Sequence, residues 1–174
     1  HRWPFNRGEA YRQTCISEFT FNDAKKEINN IIPYHKQTFP NIEKPRNIAM
    51  QDITVTASSS NAMHIAEHVL DNSYATRWEC AEDDRNPSIT ATFNGEDFVE
   101  MIGIRFEYPW KTYFIKVETT EDGKEWHTIY DYSKEGVSGS PVILPAIGVH
   151  KSVRISFVEN ENAGKPSIWE LSFY

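Results

Sequence analysis

The chain has 174 residues, enough for one domain with a real hydrophobic core and a modest appendage. Its formal charge of −7 excludes a general affinity for nucleic acid or anionic lipid, which require basic surfaces, and leaves neutral and cationic ligands open. No apolar run is long enough to span a bilayer, which predicts no membrane insertion, and the opening His1-Arg2-Trp3-Pro4 has no signal-peptide character and looks like an interior cut.

From the start, Tyr11 to Phe21 alternates loosely, with Cys15 and Ile16 in one strand-like run and Phe19 and Phe21 on one face of a second, before Asn22-Asp23 turns the chain, which predicts a hairpin-like appendage over residues 1–32. Residues 33–47 carry Pro33, Pro40 and Pro45 among polar residues and are expected to form a semi-rigid linker. From residue 48 to 174 the pattern becomes short strands. Ile53, Val55 and Ala57 share a face, and His64 to Leu70 is long enough for a helical turn or two. Ile89, Ala91 and Phe93 alternate up to Asn94-Gly95, a strong turn signal. Ile102, Ile104 and Phe106 form one face of a half-buried strand, and Tyr113 to Thr119 repeats the pattern. Asp122-Gly123 closes a hairpin into Trp126 to Asp131, Tyr132 to Pro141 is a loop, and Val153, Ile155 and Phe157 face inward again. Strands at this spacing without long helices predict an all-β fold, a sandwich or a barrel. Trp78 and Trp126 are expected in its core, and Cys15 and Cys80, far apart in sequence, as free inert thiols.

Three groups of residues invite a chemical reading. In Val69-Leu70-Asp71-Asn72-Ser73-Tyr74-Ala75-Thr76-Arg77-Trp78 an apolar pair delivers an acid into a polar turn. Asp71 and Thr76, with Ser73 and backbone carbonyls around His68, offer the all-oxygen shell that calcium takes. Glu170, the only acid in the segment Ser167 to Tyr174, is the second carboxylate such a site needs. The alternative is an Asx-turn at Asp71 and a hydrogen-bonded or solvated Glu170. In Glu107-Tyr108-Pro109-Trp110-Lys111-Thr112-Tyr113 a proline-stiffened Trp110 beside Tyr108 is either a wall on which a sugar stacks its C–H face or a cap on the edge of the sandwich. His64, Glu79, Arg85, Asn160 and Asn162 are the polar groups that can converge there, or are solvated surface. Glu82-Asp83-Asp84 reads as a solvated acidic loop, because glycoside hydrolysis needs carboxylates on opposite sides of the scissile bond. No phosphate loop, zinc spacing or nucleophile elbow is present.

The succession of Thr56-Ala57-Ser58-Ser59-Ser60, Leu70-Asp71-Asn72, Thr76-Arg77-Trp78, the stretch Thr119 to Trp126, Ser152-Val153-Arg154-Ile155 and Ile168-Trp169-Glu170-Leu171 resembles the discoidin or coagulation factor 5/8 type C family, and within it the family 32 carbohydrate-binding modules. That resemblance implies an antiparallel β-sandwich of jelly-roll topology, a structural calcium near one end and a binding site in the loops there. Galactose-reading members carry Arg and Asn in the loop where this chain has Glu107 and Lys111 or Thr112. Upstream, His1-Arg2, Tyr11-Arg12-Gln13-Thr14-Cys15-Ile16 and Phe19-Thr20-Phe21-Asn22-Asp23 resemble the last blade of a family 43 glycoside hydrolase propeller, without the glycine usual at its turn.

The resemblances imply a noncatalytic module that binds plant or host polysaccharide through Trp110, Tyr108, His64, Glu79, Arg85 and Asn162. It would be linked to a catalytic domain upstream and work outside the cell, in the periplasm or at the cell surface. A protein-binding adhesion domain, or a domain that only stabilises a propeller, would carry the same fold.

Overall fold

The computed structural model describes residues 21–22, 24–28, 48–161 and 163–174. The chain divides into two units, His1–Lys44 and Pro45–Tyr174. In the first, β1 (Phe21–Asn22) pairs antiparallel with β2 (Glu27–Ile28). The turn is closed by the Lys25 N–H, which donates to both the carbonyl and the side chain of Asn22. A short antiparallel ladder thus follows Phe21, while Asp23 and the strands expected around Cys15 and Phe19 lie outside the described residues. His1, Cys15 and the remainder of the predicted appendage and linker lie outside the described residues.

The second unit is a β-sandwich built from β3 (Ile53–Ala57), β4 (Trp78–Glu79), β5 (Ser88–Phe106), β6 (Thr112–Tyr113), β7 (Ile115–Thr120), β8 (His127–Asp131), β9 (Val137–Ser138), β10 (Val142–Phe157) and β11 (Ser167–Phe173). Its main sheet runs β4-β11-β5-β10-β7-β8, with β3 also on β5, and every pairing is antiparallel. β5 and β10 are long because each passes through both layers. The first half of β5 pairs with β3 and the second with β11, while β10 follows β5 throughout. The Asn94-Gly95 signal thus does not end a strand as predicted. It falls at the register break between Thr92 and Asp97, opposite Ser152 and His150, where the paired strands bend from one layer to the other.

The inward alternation read from the sequence is the core. Ile89, Ala91, Phe93, Ile102, Ile104, Phe106, Val153, Ile155 and Phe157 are buried, each large side chain contributing about 1.5–3 kcal/mol relative to exposure. Phe93 meets Phe173 edge-on at 5.1 Å, and Phe106 meets Phe157 at 6.2 Å, joining the two layers. Trp78 is fully buried, as expected, and its indole N–H donates to the Ser59 carbonyl at 3.0 Å. Trp126 is not in the core: it lies half-buried on the outer face of the sheet, under the Arg154 guanidinium at 4.1 Å. Cys80 is a free buried thiol, and burial pushes its pKa up, which suits an inert residue.

Two strands were not legible. Val142, Leu144 and Ala146 alternate inward in the first half of β10, but Ile143, Ile147 and Val149 point out and erase the period-two signal. Within the predicted loop from Tyr132 to Pro141, β9 pairs with β6 and fastens the loop beside Thr112.

Because β5 and β10 double over at the Asn94 corner, Ser88, Phe106, Val142 and Phe157 all end up at the opposite end of the sandwich. The loops 58–65, 80–87, 107–111, 132–141 and 158–166 therefore cluster there.

Candidate functional site

The turn around Asp71 is set by a 3₁₀ segment, Ala66–Leu70, which buries Ala66 and Val69 and so turns the next residues outward. Asn72 takes a left-handed backbone (φ 54), a conformation asparagine tolerates. Asp71 accepts from the Ser73 N–H at 2.9 Å and the Thr76 hydroxyl at 2.5 Å, and Ser73 Oγ accepts from the Ala75 N–H at 3.1 Å. The Asx-turn is thus present. So is the second carboxylate: Glu170, 5% exposed on β11, faces Asp71, accepts from the Asn72 N–H and keeps one buried oxygen with no hydrogen-bond partner. Burial first, and then the neighbouring Asp71 charge, push its pKa up to about 7 against the opposing pull of Arg105.

A hard cation fits this arrangement, since it would satisfy the orphaned oxygen and relieve the two facing carboxylates. Among the described residues no cluster of three or more His, Cys, Asp or Glu side chains with metal-site geometry occurs. A cation here would draw its remaining oxygens from Ser73, Thr76 and the backbone. The His68 ring does not join the set, because its Nδ1 is held by the Arg77 carbonyl at 3.0 Å.

Next to this turn stands a charged cluster organised by Arg77. Its guanidinium bonds Glu79 at 3.1 Å, lies 3.0 Å from Glu107 without hydrogen-bond alignment, and sits over Trp169 at 5.5 Å. Glu79 also receives Lys165 Nζ at 2.8 Å and Asn61 Nδ2 at 3.4 Å. Burial alone would raise the Glu79 carboxyl, but the bonds from Lys165 and Arg77 outweigh it and hold the pKa below the ordinary range. Glu79 is therefore a buried, fully engaged residue rather than a free reader of hydroxyls. Its backbone N–H donates to the carbonyl of His64, which pins the 61–64 loop to β4.

Above the cluster lies the 107–111 loop. Trp110 is 73% exposed, with the Tyr108 ring 5.7 Å away and nearly edge-on. The loop is fixed from below. Lys111 N–H donates to Tyr108 O, Gly139 N–H donates to Pro109 O, and the Tyr113 hydroxyl accepts from Tyr108 N–H at 3.2 Å. Tyr113 itself is buried and stacked on Phe106 at 4.0 Å. Trp110 is an exposed ring on a loop whose backbone is held by hydrogen bonds.

The structure divides the predicted ligand residues. Trp110 and Tyr108 share one loop, and the Glu107-Arg77-Glu79 chain of contacts links that loop to His64. Arg85 stands apart, exposed and paired with Glu159 at 2.8 Å, and Asn162 lies outside the described residues. The acidic loop includes a fastening: Asp84 accepts from the Ser58 and Ser59 hydroxyls, each at 2.6 Å. Sequence reasoning missed Arg77, Lys165 and Trp169. A signal for Arg77 existed, since in a strand entering at a buried Trp78 the preceding side chain must point to the other face.

A doubled-over antiparallel sandwich with its loops gathered at one end is a jelly-roll type of architecture. The family model of the F5/8 type C domain matches residues 54–171, and the chain belongs to that family. Among solved structures it resembles a glycoside hydrolase, with TM-score 0.68 and 21% identity over 90% of this chain; it spans 38% of that enzyme's length. It also resembles chitosan-binding module 1 of a chitosanase/glucanase from Paenibacillus sp. IK-5, with TM-score 0.63 and 24% identity over 75% of this chain and 99% of the module. A third is the family 32 CBM from C. perfringens NanJ, solved in complex with galactose, with TM-score 0.60 and 14% identity over 73% of this chain and 96% of that one. A comparison with curated proteins found no match. No helix among the described residues is long and apolar enough to cross a membrane.

Proposed function

We propose that this chain is a noncatalytic carbohydrate-binding module that holds an attached glycoside hydrolase against polysaccharide. The observation that carries the reading is Trp110, an exposed indole on a loop fixed by Pro109, Lys111 and Tyr113, with Tyr108 set edge-on beside it. Such a surface offers the flat apolar face on which a pyranose stacks, and it loses little entropy on binding because the loop is already ordered. The sugar-bound and chitosan-binding structures of the same fold support this reading. Glu107, committed to Arg77, stands where galactose-reading relatives carry a different polar set, which favours a ligand other than galactose.

Calcium belongs to the same proposal. Asp71, Ser73, Thr76 and Glu170, with backbone oxygen around His68, would hold it, and when bound it would neutralise the facing carboxylates and fix the turn next to Arg77. We further read residues 1–32 as the remnant of a family 43 propeller blade, and the protein as extracellular, periplasmic or surface-bound. That a solved glycoside hydrolase shares this fold over 38% of its length supports an enzymatic neighbour. Binding by one shallow site is weak, and tethering makes it useful by raising the local concentration of the enzyme at the polymer.

A glycan array followed by calorimetry on the positive sugars tests the reading, with Trp110→Ala as the control. Binding that disappears in the variant while the melting temperature stays put supports it. Absence of binding to any glycan, or binding indifferent to Trp110, refutes it. Hydrolysis of an aryl glycoside by this chain would overturn the noncatalytic assignment.

A further inference from the structure

The 158–166 loop is clamped to the Trp110-bearing segment, where the Gly164 N–H donates to Thr112 O at 2.9 Å. A β-carbon at Gly164 would come within 2.9 Å of Lys111 and of the Tyr113 ring, so the close approach needs glycine. With the 82–87 loop, this loop encloses a cleft of about 190 Å³ that includes neither Trp110 nor Tyr108. The cleft is below the roughly 300–1,000 Å³ of drug-sized sites, and its size suits a single ring. Its walls are apolar, from Pro87, Phe114, Val158 and Pro166.

The rim has a definite charge preference. Both of its cations are already taken, Arg85 by Glu159 and Lys165 by Glu79, each at 2.8 Å. Asp84 stays ionised, since the Ser58 and Ser59 hydroxyls hold its carboxyl below the usual range. Glu82 is exposed and makes no hydrogen bond or salt bridge among the described residues, its carboxylate acting only at longer range on Lys165. An anionic ligand would have to displace a carboxylate from a lysine or arginine. A cationic one meets Glu82, Asp84 and the outer side of Glu159 without breaking anything.

We propose that this cleft is a subsite for a hexosamine unit bearing a free ammonium group, its ring face against Phe114 and its ammonium toward Glu82 and Glu159. The proposal rests on the reading that this end of the sandwich binds carbohydrate, and it narrows the ligand to a cationic, deacetylated amino-sugar polymer. The two sites would engage different units of one chain, with the 158–166 loop between them.

The test is calorimetric titration of the full chain with a glucosamine tetrasaccharide and with its fully N-acetylated counterpart, at mildly acidic pH and at low and high salt. The expected result is tighter binding of the amino form, with the advantage fading at high salt. Glu82→Gln should weaken the amino form by up to about fivefold, the range of one exposed ion pair, and adding Glu159→Gln should weaken it further. Neither change should alter binding of the N-acetylated form. Both residues are exposed, so unchanged melting is expected of both variants. Equal affinity for the two oligomers, or an amino-form affinity unmoved by the double variant but lost in Trp110→Ala, overturns the subsite and leaves the Trp110 reading standing. Failure of every oligosaccharide to bind removes that underlying reading and the subsite with it.

Discussion

Replacing Arg77 by alanine would expose how the loop end is held together. In the wild type the guanidinium serves two carboxylates and one indole, and its own side chain is only 20% exposed. Its removal leaves Glu107 without an ion-pair partner among the described residues and Glu79, 7% exposed as a residue, with Lys165. Breaking one partner out of a buried ion pair costs about 3–5 kcal/mol. Here Lys165 keeps half of the compensation for Glu79, and the lost cation–π contact with Trp169 adds about 0.5–1 kcal/mol, so a loss of about 2–4 kcal/mol is expected. Denaturant unfolding of the wild type and Arg77→Ala across a pH series measures it. The sign follows from Glu79. Its pKa is lower folded than unfolded, so the ion pairs contribute fully above the unfolded value near 4.5 and lose that contribution as pH falls through the folded one. The gap between variant and wild type should therefore be widest at neutral pH and shrink in acid, where protonated carboxyls no longer need the guanidinium. A difference below about 1 kcal/mol at neutral pH, or one that acid leaves unchanged, would refute the account of Arg77 as the organising charge.

Other perturbations separate the parts of the molecule. Trp110→Ala, at an exposed ring, should change unfolding free energy by no more than about 0.5 kcal/mol while abolishing sugar binding, checked by paired melting and calorimetry. Phe106→Ala removes the ring that stacks on Tyr113 and meets Phe157, and should cost about 3–5 kcal/mol by denaturant titration. Gly136→Ala should destabilise by at least about 1 kcal/mol, because φ is +68 and the new β-carbon would lie within van der Waals overlap of Thr112 and Phe114. Calcium added to chelated protein should raise the melting temperature of the wild type and not of Glu170→Gln; a variant that still responds would place the ion elsewhere.

The fold was legible where burial is one-sided and illegible where it is not. Ile89-Ala91-Phe93 and Ile102-Ile104-Phe106 alternate with polar or small neighbours, so the period-two pattern names both the strands and their inner face. The first half of β10 hides the same alternation behind Ile143, Ile147 and Val149, apolar residues left on the outside, so no periodicity was left to read. Asn94-Gly95 carried true information about a change of direction. Local turn chemistry could not distinguish a hairpin, which reverses the strand beside itself, from a corner that bends two paired strands together into another layer.

The site shows the same division between what is local and what is assembled. Asp71, Ser73 and Thr76 are close in sequence and form their turn from hydrogen bonds among themselves, so residue types alone pointed to it. Glu170 was reachable by a physical argument: a lone acid in an apolar strand needs a reason to be there, and the structure places it against that turn with an unpaired buried oxygen. The engagement of Glu79 was not legible, because it depends on Arg77 and Lys165, which come from separate segments and meet only in the folded loops. The Glu82–Glu159 cleft is further from the sequence still, since its acids become one rim only when the 158–166 loop is drawn in by Gly164. The arrangement of the loop end is therefore carried by contacts of long sequence separation placed on strands of short-range pattern. Changes confined to loop charges such as Glu82 and Arg85 would retune what the loop end binds while leaving the alternating core, and with it the fold, untouched.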